Sequence, residues 1–278
     1  TVGQVREKEK LYQNFRKIVS RFQDVGDVWT SSYFGNEVNS GNHQKLQNRL
    51  RSTDEEWERL SQEEWFKRAK EIVKGKRFFH WELEFPEVFF EGHQRKDNPG
   101  FDAVVGNPPY VLEARDNADL FRELKAHPLL AKYYEKNIDV FCFFVDIGLD
   151  LLKRNGGFSF IVPIYWIDRT GAQKMRAKMI AESKFDLIVN FNGFQAFPDA
   201  PGHHSSIFKI LKAPTSSVQC RYLEINVDLS RHRDDQEEMV SSILTTNASG
   251  PVSYRVSSGK LLLTKEGVDI VGKLAAAA

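Results

Sequence analysis

Along residues 1–24 the apolar positions Val5, Leu11, Phe15, Ile18, Val19 and Phe22 recur at helical spacing, with Arg6, Lys8, Lys10, Arg16, Lys17 and Arg21 between them. This pattern predicts an amphipathic helix whose basic side is either a solvated face or a surface turned towards phosphate. The stretch from Val28-Trp29 to Phe34-Gly35 is aromatic enough to pack on that helix, whereas residues 36–53 are polar and read as an exposed loop. Asp54-Glu55-Glu56 complements the dipole at the start of a second helix. Its apolar face is Trp57, Leu60, Trp65, Phe66, Ala69, Ile72 and Val73, and Gly75 is its stop signal. Residues 1–76 therefore form a helical segment with no chemical motif of its own.

The pattern changes at Phe78. A dense aromatic block runs to Phe90, a polar loop spans Gly92 to Gly100, and Phe101–Gly106 is a short apolar run that predicts a buried strand. His80 and Glu82, inside the aromatic block, read as packing beside the sheet edge rather than as a catalytic pair. After a polar segment to Asn137, Asp139–Lys153 predicts a buried helix ended by Asn155-Gly156-Gly157. Phe158–Pro163 is a strand, Ile167–Ser183 a helix and Phe185–Phe191 a strand, an alternation that means parallel α/β. The link to His204–Leu211 is too short for a crossover helix, so this last strand is expected antiparallel, at the sheet edge. Ala213-Pro214-Thr215-Ser216-Ser217 has linker composition, and Val218–Val227 is a further strand. The division expected is thus a helical segment 1–76, an α/β region 77–212 and a separate C-terminal region 213–278.

Composition narrows the picture only a little. The 278 residues are 41% apolar and 28% charged, ordinary for a soluble globular chain. The formal net charge is +1, so any contact with nucleic acid must use local patches such as Arg231-His232-Arg233 or Lys260. Cys142 and Cys220 lie far apart in apolar runs and read as buried thiols of a reducing compartment, with no zinc spacing and no metal site expected. No run is long enough for a membrane span. The Ala275–Ala278 run carries no information.

The chemistry concentrates at Asn107-Pro108-Pro109-Tyr110, directly after the Phe101–Gly106 strand. The prolines remove two backbone donors and fix two φ angles, giving a stiff turn. That turn holds the Asn107 side chain, a backbone carbonyl and the Tyr110 ring in one fixed relation, two acceptors and a stacking face suited to a planar amino group. The motif resembles that of S-adenosylmethionine-dependent amino-methyltransferases, chiefly those acting on adenine N6 in DNA. Together with the Phe78–Phe90 block, it resembles the branch in bacterial type IIG restriction-modification polypeptides, over roughly Phe78 to Lys212.

The resemblance implies a Rossmann-like methyltransferase sheet, parallel with one antiparallel edge strand, preceded by a helical insertion. It implies that Asn107 Oδ1 and the Pro108 carbonyl accept the hydrogens of the amine, and that Tyr110 stacks on a flipped base. It assigns Phe197 to the second face of that base, and Pro109 and Phe144 to the cofactor, S-adenosylmethionine. For Phe144, core packing in a Phe-rich helix is an equal alternative. One departure is plain: the family's Gly-rich cofactor loop, with a strand before it, is not present in these residues. The chain therefore reads as the C-terminal part of a larger cytoplasmic bacterial or archaeal enzyme that acts on double-stranded DNA. The cofactor loop, and a nuclease if there is one, would lie elsewhere on that polypeptide. The alternatives are a methyltransferase for protein glutamine amides, whose motif also reads Asn-Pro-Pro-Tyr, and a non-catalytic nucleic-acid-binding fragment.

Overall fold

In a computed structural model, residues 2–197, 204–215, 219–229, 231–246, 250–257, 260–265 and 268–269 are described. The Ala275–Ala278 run and the Lys260 side chain lie outside what is described. The chain forms two compact units, Thr1–Lys96 and Asp97–Ala278, so the aromatic block belongs with the helices and not with the sheet. No described helix is long and apolar enough to cross a membrane.

In the first unit α1 (Val2–Ser31) forms where a helix is expected and extends further, but Val5, Leu11 and Phe22 of its expected apolar face are exposed. The polar stretch expected to be a loop contains α2 (Ser40–Arg49). Its start is fixed by reciprocal bonds between the Asn39 and Asn42 side chains and backbones, and it buries Leu46 fully. One apolar anchor leaves no periodicity to detect, and capping replaces it. The single helix expected after Asp54 is two, α3 (Asp54–Ser61) and α4 (Glu64–Lys76). α4 ends at Arg77, with φ at 53°, rather than at Gly75. Val28, Leu46, Trp57, Leu60, Phe66 and Ala69 make the core. His80 Nε2 sits 2.9 Å from Asp27 Oδ1 and Glu82 pairs with Arg95, so these two side chains serve different partners.

The second unit is built on a mixed sheet. Its strands are β1 (Phe101–Gly106), β2 (Leu152–Pro163), β3 (Lys184–Asn190), β4 (Ser205–Leu211) and β5 (Gln219–Glu224), followed by β6 (Gly250–Ser257), β7 (Lys260–Lys265) and β8 (Val268–Asp269). Their spatial order is β8-β7-β6-β5-β3-β4-β2-β1. The longer helices are α5 (Ala118–Ala126), α6 (Val140–Leu151), α7 (Gln173–Glu182) and α8 (Arg233–Thr246). β1 runs parallel to β2, and β3 parallel to β5. The α/β class is the one expected.

The antiparallel strand is elsewhere than expected. β4 lies inside the sheet, paired antiparallel with β2 on one side and β3 on the other. A short link fixes its direction relative to β3 but not which side of β3 it takes. Among the described residues β1 and β8 are instead the end strands, and Val105 on β1 is 80% exposed, so the run expected to be buried is open. The sheet also continues past Lys212, because β5 pairs with β3. Asn155-Gly156-Gly157 does not cap α6. The helix gives way directly to β2, where Asn155 N–H donates to the Lys212 carbonyl and Lys212 N–H to that of Gly156.

Apolar cores lie on both faces of the central strands β2, β3 and β4. Phe141, Val145, Leu149, Phe158, Val162, Trp166, Met179, Phe185 and Phe208 form the core shared with α6 and α7. Val189, Phe191, Phe194, Leu223, Ile225 and Val240 form a smaller core that includes α8. Gly148 is required where α6 crosses β2, since a Cβ there would lie 2.3 Å from the Phe158 ring.

Candidate active site

β1 ends at Gly106, and Asn107-Pro108-Pro109-Tyr110 follows as a turn at its C-terminal end. Pro108 is buried, Asn107 and Pro109 are exposed, and Tyr110 is half-buried. The buried proline roots the turn while the amide faces solvent. The Tyr110 hydroxyl donates to Asn107 Oδ1 at 2.7 Å and lies 2.8 Å from the Ile161 carbonyl oxygen on β2. One hydroxyl proton serves one acceptor at a time, and a carboxamide oxygen has two lone pairs, so Asn107 Oδ1 keeps capacity for a further donor. Burial, with Asp139 adding to it, pushes the Tyr110 phenol up to about 12, so it is a neutral donor near neutral pH. Its ring meets Phe141 edge-to-face at 6.4 Å.

The chain beyond Tyr110 is fastened by a residue the motif does not include. Asp139, 2% exposed, precedes α6 and caps it through Phe141 N–H at 3.3 Å. The same Oδ1 accepts Val111 N–H at 2.8 Å, and Oδ2 accepts the Tyr165 hydroxyl at 2.6 Å. Backbone bonds from Val140 N–H to Val111 O (3.0 Å) and from Glu113 N–H to Ile138 O (2.9 Å) complete the seam. Burial and the Asp139 carboxylate hold the Tyr165 phenol protonated, far above its ordinary range. The helix-start signal at Asp139 is visible in the sequence. Its second partner, 28 residues upstream, is not.

Phe144 stands apart from its neighbours on α6: it is 45% exposed, while Phe141 and Phe143 are buried. Phe197 is half-buried on the loop after β3, and Pro198 lies outside the described residues. β1, β2 and β3 all point the same way, so the motif turn and the Phe197 loop emerge at one end of the sheet. That is the end where open α/β sheets hold their ligands. β2 and β4 lie between β1 and β3, three strand spacings or about 14 Å at the roots of the two loops.

A model described as the Eco57I restriction-modification methylase matches residues 11–197. The chain belongs to that family. Among relatives of this Eco57I-family methylase is the type II methyltransferase M.HincII of Haemophilus influenzae. It is 32% identical over 118 residues, which are 42% of this chain and 23% of that protein. The type II restriction enzyme and methyltransferase RM.Eco57I of Escherichia coli is 28% identical over 112 residues, 40% of this chain and 11% of that one. The chain thus spans less than a quarter of the curated relatives it matches. The solved type IIG restriction endonuclease BpuSI aligns with 63% of this chain and 20% of its own, at 15% identity and a TM-score of 0.39.

The cofactor of the family is S-adenosylmethionine. The residues here suit only part of it. Phe144 and Pro109 offer exposed apolar surface, but among the described residues no glycine-rich turn follows a strand. The tightest glycines are filled by the protein itself: Gly100 by Leu151–Lys153, Gly148 by Phe158 and Gly171 by Asn137. Among the described residues, then, there is no backbone cradle for the methionine and ribose of the cofactor.

Proposed function

We propose that this chain is the amine-binding part of a DNA adenine-N6 methyltransferase, within a longer cytoplasmic restriction-modification polypeptide. The observation that carries the reading is the Asn107–Tyr110 turn, with an exposed carboxamide held over a buried proline at the ligand-binding end of the sheet. Asn107 Oδ1 and the Pro108 carbonyl accept the two amine hydrogens, and Tyr110 stacks on the base. Drawing on both hydrogens weakens conjugation of the nitrogen lone pair with the ring and aims it outward, which is positioning and electrostatic stabilisation without a strong base. Phe197 closes the other face of the base, and stacking offsets the cost of flipping it from the duplex. S-adenosylmethionine, when bound, supplies the electrophilic methyl, with Phe144 and Pro109 along its side. The remaining cofactor contacts come from a strand and Gly-rich loop elsewhere on the polypeptide, for which the open side of β1 is the place to pair. Double-stranded DNA is the substrate, and a nuclease on the same polypeptide accords with one relative, RM.Eco57I, being a restriction enzyme and methyltransferase.

The test is methyl transfer from tritiated S-adenosylmethionine to mixed-sequence DNA by the full-length protein. Asn107→Ala should lower kcat by about 100- to 1000-fold, the scale for removing one preorganised hydrogen-bonding group. DNA binding by gel shift should be largely retained. A variant that methylates at the normal rate would show that the site is misassigned.

A further inference from the structure

The loop carrying Phe197 is fastened to an element outside the 11–197 family match. Arg233, first residue of α8, donates from Nη1 to the Gln195 carbonyl at 2.7 Å, two residues before Phe197. Its guanidinium carbon lies 4.5 Å from the centre of the buried Phe194 ring. Its Nε donates to Glu237 Oε1 at 2.7 Å, one helical turn on, which orients the planar group. Further contacts set the start of the loop: Asn192, at φ 50°, donates from Nδ2 to Asn226 Oδ1 at 2.9 Å, and Phe194 N–H donates to Phe191 O. Phe194 and Ala196 pack on Val240 of α8 and its neighbours. A surface loop with no role would not need an arginine that spends its hydrogen bond, its ring contact and its ion pair on one task.

We propose that Arg233 is a positioning residue for Phe197: α8 sets the reach and direction of the base-stacking loop through Arg233. This rests on the reading of Phe197 given under Proposed function. Arg233 touches neither base nor cofactor. Its planar fork fixes the backbone at Gln195, and the Phe194 ring beneath holds the fork in place. Lysine, a point charge without the fork, keeps only part of this.

The experiment uses the full-length protein as wild type, Arg233→Ala, Arg233→Lys, Phe197→Ala and the Arg233→Ala/Phe197→Ala pair. In Arg233→Ala, amide exchange over residues 191–197 should rise about tenfold while β2 and α6 exchange as in wild type. In methyl transfer to mixed-sequence DNA, kcat should fall about tenfold with KM for DNA within about twofold, and Arg233→Lys should be intermediate. With Phe197 already alanine, adding Arg233→Ala should change kcat by less than about twofold, because the arginine acts through that ring. Unchanged exchange over 191–197, or losses that add in the double variant, would overturn the proposal. A wild-type protein that transfers no methyl to DNA would instead overturn the functional reading, and the exchange arm alone would then decide whether Arg233 holds the loop.

Discussion

The proposed function gives Tyr110 two tasks, stacking and hydrogen bonding, and substitutions separate them. Tyr110→Phe keeps the ring and loses the hydrogen bonds to Asn107 and Ile161; Tyr110→Ala loses both. Stacking is worth about 1–3 kcal/mol per base, so Tyr110→Ala should lower kcat/KM for DNA by about 10- to 100-fold, with Tyr110→Phe several-fold at most. Equal losses in the two variants would mean that the hydroxyl, not the ring, matters. Asp146 makes a different residue-scale prediction. It is 1% exposed, and among the described residues neither carboxylate oxygen has a hydrogen-bond partner. Burial raises its pKa to about 7 from 3.8; Lys178 opposes this, and Asp150, Glu182 and Glu135 add to it. The folded state therefore holds the proton more tightly than the unfolded chain. The contribution of this group to stability is fully favourable below about pH 4, and the destabilisation grows as pH rises towards 7. Asp146→Asn should be near neutral at pH 4 and stabilising by about 2–4 kcal/mol at pH 8 in urea unfolding. A loss of stability at pH 8 would contradict this.

Asp139 shows how elements are held. It caps α6, ties Val111 beside the motif turn, and accepts from Tyr165, so its removal takes the acceptor from one buried and two partly buried donors. Asp139→Ala should cost about 2–4 kcal/mol in urea unfolding and lower methyl transfer, and Asp139→Asn should cost less. A similar argument at smaller scale applies to Asn39, whose exchange for Ala should cost about 1 kcal/mol through the start of α2. These cases divide what is legible in a sequence from what is not. The motif turn is legible because proline and asparagine act locally: two fixed φ angles suffice to end β1. Asp139 is legible as a helix start, but its bond to Val111 depends on topology. The α2 helix was hidden because its single buried anchor, Leu46, leaves no period to count. Asn155-Gly156-Gly157 carries helix-stopping residues, yet pairing with β1 and β4 draws that stretch into β2. The place of β4 inside the sheet needed a choice between two sides of β3 that loop length cannot make.

At the scale of the whole molecule, the described residues form a helical unit and an α/β unit, each with its own core. The α/β unit carries the Asn107–Tyr110 turn, the exposed Phe144 and the Phe197 loop, and among its described residues there is no glycine cradle for S-adenosylmethionine. The chain belongs to the Eco57I restriction-modification methylase family, and among the described residues β1 ends the sheet. The most direct measurement is product identity. The full-length protein is incubated with S-adenosylmethionine and double-stranded mixed-sequence DNA, the DNA is digested to nucleosides, and these are separated by mass. The account predicts N6-methyldeoxyadenosine, lost in Asn107→Ala. Methyl on cytosine, or on a protein glutamine amide with none on DNA, would contradict it.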